Sequence, residues 1–185
     1  NSGEKSNIPN HTAMNHSEQM IHKMSFVSDG GNRNEIPENL RPKSGDVRKY
    51  VRYKSSEPSF CVTGDMRKVF HYSQNRALTV RELATIQTFP LDFVFKGTVI
   101  SQQQQVGNSV PPMLAKEIAS AIKIMMENDA LGSMMSGSGP TVFGLYRNRE
   151  DAENCKNKLL KKFSQVYIVK SHNKGVEIYG KKKKN

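Results

Sequence analysis

Punctuation constrains this chain more than any other feature of its sequence. Proline, glycine and polar clusters cut every apolar pattern short, dividing 185 residues into a loop-rich start, a helical middle and a mixed end. Residues Asn1 to about Ser59 are rich in Asn, Gly, Pro and Ser, with turn signals at Gly30-Gly31, Ile36-Pro37, Arg41-Pro42 and Ser44-Gly45. They read as loops with short elements. The β-prone run "FCVTGDMRKVFHY", Phe60 to Tyr72, is broken by Gly64-Asp65 and predicts a hairpin or two short strands. Thr79 is placed to cap a helix with Arg81 and Glu82 in its first turn and Leu83, Ile86 and Gln87 after them, and Pro90 stops it. Ser109-Val110-Pro111-Pro112 opens a second helix, since proline is tolerated where the first amides lack partners, and Leu114, Ile118, Ile122 and Met125 form its apolar stripe. Beyond Asn128 a glycine-rich turn leads into a strand, Glu150 to Phe163 reads as an amphipathic helix, and Gln165–Lys170 and Gly175–Tyr179 as closing strands.

The net charge of +11 favours a polyanionic partner, because Lys and Arg neutralise phosphates and release condensed counterions. The excess is uneven: nine basic residues fall between Arg41 and Arg76, against Asp46, Glu57 and Asp65. The terminal Lys181–Lys184 run reads as a solvated tail. A hydrophobic fraction of 36% is low for a core of this size, so part of the surface is expected to need a partner. Cys61 and Cys155 have neither disulfide-framework nor zinc spacing, and both read as structural in a reducing compartment. His11, His16 and His22 share no helical face, so no metal site is expected. No apolar stretch reaches the roughly eighteen residues of a membrane span. The chain begins with Asn1, and a truncated or processed start is expected.

Two segments carry chemistry. "NRALTVRELATIQTFPLDFVF" from Asn75 to Phe95 and "QQVGNSVPPMLAKEIA" from Gln104 to Ala119, in this order and spacing, resemble the last two blocks of the bacterial DNA cytosine-5 methyltransferases. The preceding stretch, Gly30 to Tyr72, resembles the target-recognition region of one branch of that family. The resemblance implies double-stranded DNA as partner, a bacterial cytoplasmic location and S-adenosyl-L-methionine as cofactor. It places Gly107, Asn108, Ser109 and Val110 where the family closes its cofactor pocket. A glycine turn entering a helix also suits a polar small molecule, and an ordinary helix cap is the competing reading of the same residues. Arg48, Lys49, Arg52, Lys54, Arg67 and Lys68 are the candidate phosphate contacts, which would position DNA rather than read bases.

The family's reaction needs a cysteine in a Pro-Cys dipeptide and a nearby glutamate. Cys61 follows Phe60 and Cys155 follows Asn154, so a separate N-terminal catalytic half is expected as partner, and this chain alone is expected to be inactive.

From about Met126 to Gly180 the resemblance changes. Ala130-Leu131-Gly132 and "MSGSGPTVFGLY", Met135 to Tyr146, resemble the C-terminal end of 4-diphosphocytidyl-2-C-methyl-D-erythritol kinase, of the GHMP kinase family. That resemblance implies ATP as ligand and a glycine motif of Ser136, Gly137, Ser138 and Gly139. A tight turn feeding a strand is the plainer reading. The expected organisation is α/β: a recognition region over residues 1–74, helical methyltransferase blocks over 75–127, a small β-α-β kinase-like module over 128–180, and a basic tail over 181–185. A non-catalytic DNA-binding module, using the basic stretch alone, is a third reading.

Overall fold

The structure is a computed structural model and describes residues 7–43, 46, 48–137 and 139–170. It divides into two compact units, Asn1–Ala115 and Lys116–Asn185, each with its own core.

In the first unit, α1 (Glu18–Ser25) starts where the Ser17 side chain accepts from the Met20 amide, and it buries Met24. Met24, Val27, Ile36, Tyr50 and Phe70 form one apolar cluster. β1 (Val51–Arg52) and β2 (Val69–Phe70) pair in parallel, Val51 against Val69. A reciprocal capping box starts α2 (Val80–Ile86): the Thr79 hydroxyl accepts from the Glu82 amide, and the Glu82 carboxylate accepts from the Thr79 amide. Leu83 and Ala84 of α2 are fully buried beside Val106 of α3 (Val99–Asn108), Phe95, Val62, Met66 and Val69. This second cluster joins the expected recognition region to the helical blocks.

The second unit contains most of α4 (Pro112–Met126), the antiparallel pair β3 (Gly132–Met135) and β4 (Val142–Leu145), and α5 (Arg149–Leu159). Ala121 and Met125 of α4 pack with Ala130, Cys155 and Leu159. Asn148 caps α5, its side chain accepting from the Asp151 amide.

The chain is thus a mixture of helices and short strands. The capped helix at Thr79 and the helix opening at Pro112 form as their residues predict. The run Phe60–Tyr72 differs, yielding one two-residue strand and no hairpin. Its Thr63 amide and hydroxyl turn to the Met66 sulfur, closing a local loop around Gly64-Asp65, while Val62 and Met66 enter the core. Two helices exceed expectation: α1, and α3, whose polar run buries only Gln103 and Val106. Gln165–Lys170 is not a strand, although Val166 and Ile168 are half-buried between exposed neighbours. Gly175–Tyr179 and Lys181–Lys184 lie outside the described residues.

Candidate nucleic-acid and cofactor surface

The N-terminal segment is tied to α2 and α3 by Asn10, which sequence reasoning had not singled out, and by His11 and His16, weighed there only as metal ligands. Asn10, at φ 62°, donates from its side chain to the Phe95 carbonyl and to Gln102, and accepts from the Phe95 amide. His11 lies 3.0 Å from the Thr79 hydroxyl, and the His16 Nε2 accepts from the Ala77 amide at 3.0 Å. Burial holds the His16 imidazole below its ordinary pKa. Among the described residues no group of three or more His, Cys, Asp or Glu is placed to hold a metal ion. An Asn and two His in a polar stretch carry no periodic signal, which is why only the fold discloses their partners.

Three arginines serve the interior. Arg52 is 4% exposed and donates to the carbonyls of Met24, Val27, His71 and Gln74 and to the Asn75 side chain. Its guanidinium clamps the end of α1 and the residues after it to the His71–Asn75 segment, with burial lowering its pKa against the pull of Asp29 and Glu35. Arg81 binds the carbonyls of Pro9, Pro90 and Phe93. Arg76 grips Glu82, and the His71 Nε2 lies 3.8 Å from the same carboxylate.

The other candidate DNA contacts lie nearer solvent. Arg48 pairs with Asp46 and Lys54 with Glu57. Lys49 and Arg67 share Asp65, at 3.1 Å and 2.9 Å. Those donors, chiefly Arg67, hold the Asp65 carboxyl far below the usual range. The Asp46 carboxyl is lowered to about 2, above all by the Arg48 side chain. Lys68 lies over the Tyr50 ring, 5.1 Å from its centre. The described residues between Asp46 and Lys68 therefore present basic side chains whose charge is partly neutralised from within.

The expected cofactor residues sit at a helix end. Gly107 and Asn108 belong to the last turn of α3, and Ser109 closes it, its amide and hydroxyl both donating to the Val106 carbonyl. The helix thus uses these groups, rather than offering a free amide turn to a ligand. Gly107 is required for packing: a β-carbon there would sit 2.3 Å from the Thr63 carbonyl carbon and 2.4 Å from the Gly64 nitrogen. Asn108 is exposed, with no side-chain hydrogen bond among the described residues, and Val110 is 49% exposed. Leu91, Phe93, Val94, Val99, Ile100, Met113 and Leu114, on and beside α3 and at the start of α4, are also exposed.

In the second unit, Ser136 donates its amide to the Thr141 carbonyl, closing the turn that contains Gly137 and Gly139. A β-carbon on either glycine would meet nothing within 4 Å, although Gly139 has a φ of 151°. Ser138 lies outside the described residues. A hollow in this unit is lined by Arg149, Glu153, Lys156, Asn157, Tyr167 and Ile168, and none of the described glycine-turn residues, Ser136, Gly137 and Gly139, lines it.

Comparison with known proteins follows the same division. Residues 1–124 match the C-5 cytosine-specific DNA methylase model, and residues 99–165 match the GHMP kinases C-terminal model. Type II methyltransferase M1.HphI of Haemophilus parahaemolyticus is 70% identical over 129 residues, covering 70% of this chain and 35% of that protein. Type II methyltransferase M.AquIB of Picosynechococcus sp. is 37% identical over 127 residues, covering 62% of this chain and 87% of that relative. The 4-diphosphocytidyl-2-C-methyl-D-erythritol kinase of Clostridioides difficile is 65% identical over 65 residues, 35% of this chain and 22% of the kinase. The chain thus spans about a third of M1.HphI and about a fifth of the kinase. The two family matches overlap over residues 99–124, which hold α3 and most of α4. A methylase part and a kinase-like C-terminal part therefore meet in one polypeptide, and by the match over its larger part the chain belongs to the C-5 cytosine-specific DNA methylases.

Proposed function

We propose that this chain supplies target-DNA recognition and one wall of the cofactor pocket to a DNA cytosine-5 methyltransferase whose catalytic portion lies outside these residues, in the bacterial cytoplasm. The observation that carries the reading is the shared core: Val62, Met66 and Val69 pack with Leu83, Ala84 and Val106, so basic loop surface and cofactor-end helix form one unit. Its support from comparison is that M.AquIB, a methyltransferase polypeptide, is matched over 87% of its own length by this chain's methylase part.

Within this reading Arg48, Lys49, Lys54, Arg67 and Lys68 contact DNA phosphates. Arg52 is left out because its donors are engaged in the interior. Asn108 and Val110 would hold S-adenosylmethionine, which supplies the methyl group when bound, while Gly107 and Ser109 keep the end of α3 in place. The exposed apolar side chains from Leu91 to Leu114 would face the catalytic portion, and burying them there offsets a thin core. No catalytic residue is assigned to this chain, since neither Cys61, exposed beside Phe60, nor Cys155, buried in the second unit, is preceded by proline.

The test is binding of a fluorescent DNA duplex by the full chain as salt is raised. Affinity should fall steeply between about 50 and 200 mM salt if phosphates dominate. Flat affinity across that range, or none at the lowest salt, sinks the reading. Methyl transfer from labelled S-adenosylmethionine is expected only when a polypeptide carrying the remainder of the methylase is added.

A second reading is favoured by the kinase likeness of the tail: that residues from about 128 onward derive from a GHMP kinase and keep some affinity for ATP. Nucleotide titration of the full chain tests it, with a saturable shift expected if the glycine turn still binds phosphate.

A further inference from the structure

We propose a second phosphate-binding site, the hollow lined by Asn32, Arg33, Asn34 and Arg41, which receives a phosphate of the DNA backbone. The inference rests on the DNA-binding reading above and adds residues outside its basic loops.

Two features distinguish this hollow from those loops. First, backbone carbonyls anchor its arginines: Arg33 donates to the Pro42 carbonyl at 2.7 Å, and Arg41 to the carbonyls of Ile36 at 3.1 Å and Asn34 at 2.6 Å. Arg41 makes no ion pair among the described residues, whereas Arg48, Lys49, Lys54 and Arg67 are each paired with a carboxylate. A carbonyl anchor fixes a guanidinium without cancelling its charge, so the field of Arg41 remains for a ligand.

Second, the loop is rigid by its own construction. Asn32 and Glu35 form a reciprocal capping box around a single 3-10 turn, Arg33–Glu35. The Glu35 carboxylate, the nearest acid in sequence to Arg33, is turned onto the Ser28 and Asn32 amides. The Asn32 side chain accepts from the Asn34 amide. Two positioned guanidinium forks with amide side chains beside them suit tetrahedral phosphate, and side chains already ordered lose less entropy on binding.

The experiment compares duplex binding, by fluorescence anisotropy across a salt series, for the full chain and three variants. Arg33→Gln with Arg41→Gln should weaken binding to all duplex sequences alike and reduce the salt slope by about 0.9, the value for one phosphate. Asn34→Asp places a negative charge in the hollow while keeping every carbonyl anchor, and should also weaken binding. Arg67→Gln with Lys68→Gln is the comparison variant in the other loops.

If the full chain binds duplex and both hollow variants match it, the hollow is not a DNA site and the inference is overturned alone. If the full chain binds no duplex, the DNA reading falls and takes the inference with it. Loss of binding in the double variant with normal binding by Asn34→Asp would trace the loss to a loosened loop and overturn the site. Inorganic phosphate alone should give no saturable heat in calorimetry. Tight binding of the free ion without any effect of the variants on duplex affinity would assign the hollow to phosphate itself.

Discussion

Arg76 holds Glu82 with two hydrogen bonds, Nη1 to Oε2 at 2.7 Å and Nη2 to Oε1 at 2.6 Å, across the first turn of α2. The same carboxylate accepts from the Thr79 amide and completes the capping box. Burial raises the Glu82 pKa, but the donors from Arg76 and Thr79 and the nearby Arg76 charge outweigh it and leave the carboxyl below its ordinary value.

Replacing Glu82 with Gln leaves the Arg76 charge buried without its counter-ion and weakens the cap. The expected loss is on the order of 3 kcal/mol, as for breaking a buried pair from one side. Urea unfolding followed by circular dichroism should show the midpoint of the first unit falling, and an unchanged midpoint would contradict this account.

Acidification should loosen the same region through His16 and His71. Burial depresses both imidazoles, and Arg76 depresses His71 further against the pull of Glu82. The unfolded chain therefore binds protons more readily than the folded one. Their stabilisation is complete above the ordinary value of about 6.5 and is lost as pH falls through the lowered folded values. Melting temperature should drop between pH 7.5 and 5, and His16→Gln should flatten that drop.

Glycine substitutions should separate packing from turn chemistry. Gly107→Ala drives a β-carbon into the Thr63–Gly64 backbone, costing about 1–3 kcal/mol as overpacked sites do, whereas Gly137→Ala meets open space. Thermal unfolding of the two variants should differ accordingly.

Arg52→Lys keeps the charge but cannot serve four carbonyls and an amide. The variant should be cleaved much faster by chymotrypsin at low enzyme, with the added cuts near Met24–Val27 and His71–Asn75. Protection equal to the parent would show that the clamp is dispensable.

Asp65→Asn frees Lys49 and Arg67 from the carboxylate they share. Duplex affinity at low salt should rise, and the salt slope should steepen by up to about 0.9 for each cation released to a phosphate. A parent-like slope would mean these side chains do not reach DNA.

Local chemistry was legible before any fold was known. Thr79 with Glu82 is a capping box by residue type and spacing, Pro111-Pro112 can only open a helix, and the blocks Asn75–Phe95 and Gln104–Ala119 announce the methylase family. Each depends on residues within a few positions of one another, or on a chain order that sequence displays directly. What tertiary structure decided was the use of groups whose partners lie far along the chain. The arginine Arg52, outwardly like its basic neighbours, became an interior clamp because carbonyls 19 to 28 residues away converge on it. The run Gln102–Gln105 became part of a helix because the Thr98 cap and the burial of Gln103 and Val106 outweigh its weak apolar pattern. Gly107 is glycine because backbone more than forty positions earlier comes to rest against it. Charge, size and spacing are properties of the sequence, whereas exposure and partnership exist only once distant segments are brought together.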